Sequence, residues 1–264
     1  MNRQLHFHIH SLIKSLVLLS SFNLIRVLLS AEQLSLYIHP RFTFFTEVAD
    51  YLLLILALAE FSRVVSISNV PVNSLHQHSH GHDLNGGYIL FVATLFFAMV
   101  FPNSTLDATQ VSNRGLNTRI TPNTATIENL PRPLAEELKT PKGIVVTDLK
   151  YTEIMSELNQ FPDDYIGKEV NMTGFVFRSP GQSSNQISLV RYVITCCTAD
   201  ALPYGILCET ASAKQYPDGT WLEIQGVVQK GKYDNEPVGM IKLSSIKKIT
   251  EPMHPYVFPY ETPE

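Results

Sequence analysis

The sequence predicts a membrane-embedded α-helical N-terminal part, with about three transmembrane helices, followed by a mostly β soluble domain built as an OB-like five-stranded barrel. Three observations lead there. Most charged residues of the 264-residue chain lie after position 104, while the first third is dominated by Leu, Phe, Val and Ile. Long apolar runs recur before that point. After it come short alternating segments, two of them interrupted by glycine. A chain of this length holds about two units.

Leu12 to Leu29 is the first apolar run, broken by Lys14, Asn23, Arg26 and serines. It is long enough for the roughly 20 residues that a bilayer core requires of a helix. It exceeds the apolar core of a cleaved signal, usually about 7–15 residues, and lacks a small-x-small cleavage site, so a retained helix over about 12–30 is expected. The second helix is expected over 42–61, around Tyr51-Leu-Leu-Leu-Ile-Leu-Ala-Leu-Ala59. Glu47 and Asp50 are three residues apart and share a helix face. A carboxylate at membrane depth costs about 2.5–3.5 kcal/mol, so such residues mark a pore, a proton site or a helix partner. The alternative is a helix that begins near Val48 and leaves Glu47 among the headgroups. Arg26 is a potential ion-pair partner. The third helix is expected over 86–102, short and ended at Pro102.

Three crossings make the protein multi-pass in the cell membrane. They put the N-terminal tail (His6, His8, His10) on the same side as the loop 76–83, which reads His-Gln-His-Ser-His-Gly-His-Asp. The remainder of the chain then lies opposite. Arg3, Lys14 and Arg63 flank one side and Arg41 the other, which favours an extracytoplasmic C-terminal domain. His76, His78, His80 and His82 are candidate ligands for zinc or another transition metal, since neutral imidazole suits these ions. The bland alternative is a polar loop without a ligand.

Residues 103–142 are rich in Pro, Thr, Asn and Ser and read as an irregular linker, with one short helical turn at 134–138. The barrel domain is expected over 143–264. Gly143–Val146 reads as a short strand, and Thr147 or Asp148 caps a helix through about Asn159 with Leu149, Ile154 and Leu158 as its stripe. Strands are expected over 165–178, 187–195, 206–210, 221–229 and 239–249, with a turn at Ala201–Gly205. Val170, Met172, Gly174 and Val176 alternate with Asn171, Thr173 and Phe175. Glycines within strands suit a small, bent, closed sheet. The soluble part carries more acidic than basic residues and lacks interleaved stacking aromatics, which argues against nucleic acid as a partner.

Cys196 and Cys197 are vicinal within Arg191-Tyr-Val-Ile-Thr-Cys-Cys-Thr-Ala-Asp200. Neighbouring side chains in a regular strand point to opposite faces, so either one thiol is core or the backbone leaves strand geometry there. Three readings stay open. The cysteines are structural; or Cys196 or Cys197 with Asp200 forms a thiolate–carboxylate metal site; or the thiols are redox-active. In the last case Cys196 and Cys208 have equal parity for a disulfide, or the vicinal pair itself closes. Arg191 falls on the Cys197 face, where it would stabilise a thiolate. Three cysteines are too few for a disulfide scaffold. Nothing supplies a Cys-x-x-Cys, a base–nucleophile pair or a cofactor loop, so an enzyme is disfavoured.

Tyr165-Ile-Gly-Lys168, Gly174-Phe-Val-Phe-Arg178, the Cys-Cys segment through Ala201 and Pro255-Tyr-Val-Phe-Pro259, with Tyr37-Ile-His-Pro-Arg41, the His-rich loop and Leu106-Asp, carry a resemblance over nearly the whole chain. The sequence resembles the YcgQ-like family of permease subunits, whose function is largely unknown. The resemblance implies a membrane-bound accessory subunit that sits in the lipid bilayer and works with a multi-spanning permease subunit of the YraQ-like type. Set against metal-ion handling are two other readings, an interaction module that docks the permease without a ligand and a redox-active thiol domain.

Overall fold

The computed structural model describes residues 3–69, 87–101, 104–116, 132–180, 182–233 and 236–259. The chain divides into two units. The first comprises residues 1–35 and 40–104, the second residues 36–39 and 105–264.

In the first unit, β1 (Arg3–Phe7) leads into α1 (Ile9–Ser30), followed by α2 (Thr43–Ser62), β2 (Val65–Asn69) and α3 (Gly87–Val100). α1 and α2 are long and apolar enough to cross a membrane. At 1.5 Å per residue α1 measures about 33 Å and α2 about 30 Å, whereas α3 reaches only about 21 Å. α2 and α3 leave large apolar side chains exposed, among them Phe44, Ile55, Leu58, Phe61, Ile89, Phe91 and Phe96. A helix that is apolar outside as well as inside is built for lipid or for further helices. α1 lies along α2, where Ser15 Oγ donates to the carbonyl of Ala57 at 3.0 Å. β1 and β2 pair antiparallel, Phe7 opposite Val65 and Arg3 opposite Asn69, so the tail runs back beside the segment that leaves α2.

The second unit contains α4 (Ala108–Arg114), α5 (Ala135–Leu138), β3 (Ile144–Val145), α6 (Tyr151–Gln160), β4 (Glu169–Phe177), β5 (Gln186–Val193), β6 (Leu202–Glu209), β7 (Trp221–Tyr233), β8 (Glu236–Lys248) and β9 (Tyr256–Val257). Strands β4-β7-β8-β6-β5 close into a five-stranded barrel, because β5 pairs back with β4. The β6–β8 pair is parallel and the other four are antiparallel. That is the strand order of an OB-type barrel. β3 and β9 extend it, parallel to β4 and β5.

The strand glycines do what a tight barrel requires. A Cβ at Gly226 would lie 2.4 Å from the carbonyl oxygen of Lys242, at the bulge where the β7–β8 register shifts. A Cβ at Gly174 would lie 2.8 Å from that of Val190. The inner face holds Val170, Met172, Val176, Ile187, Leu189, Ile206, Leu222, Ile224 and Ile241. α6 contributes Ile154, Met155 and Leu158 to the same core. A second apolar layer gathers Phe175, Tyr192, Trp221, Tyr256 and Phe258 with Ala108 and Val111 of α4.

Three local expectations are corrected. The stretch 103–142 is not uniformly irregular among its described residues: Asp107 caps α4, accepting the amide of Thr109 at 3.0 Å, and α4 packs on the aromatic layer. The expected turn at Ala201–Gly205 is mostly strand. β6 begins at Leu202, and Pro203 and Gly205 pair with Tyr192 and Val190. Leu149 is exposed and precedes α6, whose buried face is Tyr151, Ile154, Met155 and Leu158. A helical start two residues later rotates the stripe away from it.

Candidate functional site

The site is a bend at the end of β5. Beyond Val193 the amide of Ile194 still donates to the carbonyl of Val257 at 2.9 Å, but the ladder then stops. The carboxylate of Asp200 accepts the amides of Thr195 at 3.0 Å and Cys196 at 2.7 Å. Thr198–Asp200 forms a 3-10 turn, in which the amide of Asp200 donates to the carbonyl of Cys197 at 3.0 Å. An acidic side chain satisfying nearby backbone amides is a local alternative to the sheet ladder. It takes the backbone out of strand geometry and brings the two thiols together, with Sγ to Sγ at 3.7 Å. Cys196 is exposed and Cys197 half-buried.

The segment Leu36–His39, which connects α1 to α2 in sequence, belongs to the barrel unit. It straps this bend. Ile38 forms an antiparallel bridge with Cys197. The amide of His39 donates to the carbonyl of Cys196 at 2.9 Å, and the amide of Thr198 to that of Tyr37 at 2.9 Å. His39 is itself buried, its Nε2 lying 3.2 Å from the carbonyl oxygen of Pro259 and its ring 5.1 Å from that of Phe258. Residues 36–39 thus tie the Cys-Cys bend to the C-terminal segment.

The electrostatics hold the Cys196 thiol protonated. The Asp200 carboxylate beside Cys196, helped by the neighbouring Cys197, pushes the Cys196 thiol up to about 11. Partial burial pulls Asp200 upward, but the Cys196 thiol and the amides of Thr195, Cys196 and Cys197 outweigh it and hold the carboxyl below its ordinary value. Vicinal thiols beside a carboxylate make a soft donor pair that a cation, rather than an electrophile at neutral pH, is suited to engage. Among the described residues no three His, Cys, Asp or Glu side chains converge on a metal-sized centre.

The other candidate residues go elsewhere. Cys208 is buried in the barrel core opposite Ile187, and burial pushes its thiol up to about 12. Ile187 lies nine positions before Cys196, about 30 Å along a strand, far beyond disulfide reach. The expected parity between Cys196 and Cys208 is therefore overturned by register. Arg191 does not serve the thiols either. It is buried, forks onto the carboxylate of Asp148, and donates to the carbonyls of His254 at 2.9 Å, Tyr256 at 3.2 Å and Pro255 at 3.3 Å. It is a clamp for the C-terminal segment. In the helical unit, Asp50 is fully buried with Oδ2 2.5 Å from Nη2 of Arg26, whose guanidinium also lies 4.8 Å from the Tyr51 ring. Glu47 is exposed, so the two carboxylates do not share an environment. His76, His78, His80 and His82 lie outside the described residues.

Reading the sequence alone missed the strap and the Asp148 partner. Tyr37-Ile-His-Pro-Arg41 was visible as a motif, but nothing local says that it reaches Cys197, about 160 residues away.

A protein of Streptococcus mutans serotype c named "Putative two-component membrane permease complex subunit" is 24% identical over 277 aligned residues, covering 94% of this chain and 99% of its own length. The "UPF0703 protein YcgQ" of Bacillus subtilis is 22% identical over 192 residues, covering 65% of this chain and 67% of its own. Neither is named as an enzyme. Residues 13–117 match the DUF1980 N-terminal domain and residues 123–259 the DUF1980 C-terminal domain. Helical unit, barrel and cysteine bend thus all fall within one family's span, and the chain belongs to the DUF1980 family.

Proposed function

We propose that this chain is the membrane-embedded accessory subunit of a two-component permease, and that the complex handles a transition-metal ion such as zinc. The observation that carries the first part is the relative named as a permease complex subunit, which aligns over 99% of its length. The apolar surfaces of α1, α2 and α3 support it, since they suit a bilayer and a multi-spanning partner.

The strap supports three crossings. Leu36–His39 lies between α1 and α2 yet docks on the barrel, which supports both standing on one side of the membrane and an even number of crossings between residue 39 and residue 105. α2 and α3 fit that count, with local thinning or helix packing to accommodate the short α3. The β1–β2 pair supports the tail and the second loop sharing the other side. The histidine loop 76–83 and the thiol pair Cys196–Cys197 are then two stations, one on each side. The Arg and Lys distribution favours the barrel outside the cell.

Affinity purification of the tagged full-length chain from native membranes tests this. The expected result is co-purification of a multi-spanning permease, with membrane vesicles holding both subunits moving zinc faster than vesicles lacking this chain. Isolation of the chain alone, with zinc flux unchanged by its deletion, overturns the proposal.

A further inference from the structure

The two sulfurs are spaced as a metal would hold them. Two zinc–thiolate bonds of about 2.3 Å at a tetrahedral angle set their sulfurs about 3.8 Å apart. Sγ of Cys196 and Sγ of Cys197 stand 3.7 Å apart. Adjacent side chains achieve this only because the backbone bends at Thr195–Cys196, and two devices hold that bend. One is Asp200, which caps the amides of Thr195 and Cys196. The other is the strap, whose Ile38 keeps Cys197 extended at φ −158° and ψ 171°. Its two hydrogen bonds fall on the carbonyl of Cys196 and the amide of Thr198, immediately either side of the Cys197 residue.

We infer that Cys196 and Cys197 bind one thiophilic divalent ion between their sulfurs, and that its binding locks the α1–α2 connection Leu36–His39 onto the barrel. The inference rests on the metal reading proposed above and adds its regulation. Binding releases the two thiol protons and leaves the remaining coordination positions to water or to a partner's ligand. The strap positions the donors and is not itself a ligand set. Because the strap and the ion favour the same backbone conformation, each raises the affinity of the other by the same factor.

The test uses the reduced full-length protein in detergent, zinc chloride as probe, and Cys197→Ser as control. Two readouts are taken on each: reactive thiols by an aromatic disulfide reagent, and amide hydrogen exchange of peptides covering residues 36–39 and 196–198. Zinc is expected to protect both Cys196 and Cys197 at one equivalent, and to slow exchange at His39 and Thr198 about fivefold or more, within the usual range of coupling between sites. Cys197→Ser is expected to lose both effects. Thiol protection without slower exchange overturns the coupling and leaves the metal reading intact. Failure of zinc to protect the thiols removes the cysteine station altogether. Equal slowing in Cys197→Ser places the ion elsewhere and overturns the inference.

Discussion

Replacing Arg191 with Met tests whether the clamp at the end of β5 has the strength its geometry implies. Met keeps an unbranched apolar stem and removes the guanidinium. Asp148, about half exposed at 55%, falls back into water at little cost. The exposed half of that ion pair contributes about 0–1 kcal/mol. The carbonyls of His254, Pro255 and Tyr256 lose the only charged donor described for them. β9 is paired to β5 through Tyr192–Tyr256 and Val193–Val257, and the packing of Tyr256 and Phe258 in the aromatic layer shares the load with the clamp. Leaving these carbonyls without their charged donor costs about 2–3 kcal/mol. With a guanidinium slope of about 4 kcal/mol/M for a domain of this size, the unfolding midpoint drops by about 0.6 M. The single tryptophan reports it: Trp221 lies in the barrel, with its ring 6.0 Å from the Arg191 guanidinium carbon. Arg191→Lys retains charge but not the fork, and is expected to recover only part of the loss. If both variants shift the midpoint by less than about 0.2 M, under about 1 kcal/mol on the same slope, the clamp argument is wrong.

Two further outcomes are expected. Gly239→Ala would put a Cβ 2.0 Å from the carbonyl oxygen of Leu158, so the end of α6 must move. Overpacking of this kind destabilises by about 1–3 kcal/mol in the same fluorescence assay. Gly143→Ala, whose nearest neighbour is an ordinary 3.5 Å away, stays within about 0.5 kcal/mol, and equal losses at the two positions would refute the packing argument. With the Cys196 thiol pushed up to about 11, its iodoacetamide alkylation in metal-free protein should still be climbing at pH 10. Below the pKa, thiolate grows about tenfold per pH unit. Asp200→Asn removes the charge that opposes the thiolate, lowers that value and speeds alkylation at pH 8. A rate that levels off by pH 9 in the unaltered protein contradicts the assigned cause.

Much of the barrel was legible in the chain. The alternation of Val170, Met172 and Val176 marks the inner face because side chains alternate with a period of two. Gly174 and Gly226 mark the close approaches of a narrow barrel. Where local signals misled, a longer-range term won. Pro203 and Gly205 read as a turn by composition, yet the ladder with β5 runs straight through them. Leu149 looked like part of a helical stripe until the start of α6 set the phase. The candidate site was half legible. Asp200 stands close enough in sequence to suggest a role with the cysteines, and the structure adds that it caps the amides of Thr195 and Cys196. Parity puts Arg191 on the Cys197 face, whereas its partners come from residues 148 and 254–256.

By itself, the sequence determined how the chain divides. Apolar helices with few charges and short alternating strands are properties of composition and period, and they separate an apolar helical part from a barrel whatever the final contacts. Membership of the DUF1980 family follows from the same linear pattern. Only the tertiary structure decided which thiols are neighbours. Register carries Cys208 into the core opposite Ile187, while a cap from Asp200 and a strap from Leu36–His39 turn Cys196 and Cys197 to the same side. Pairing between segments about 160 residues apart is set by which hydrogen bonds and apolar faces complete one another in three dimensions. No local pattern encodes that choice.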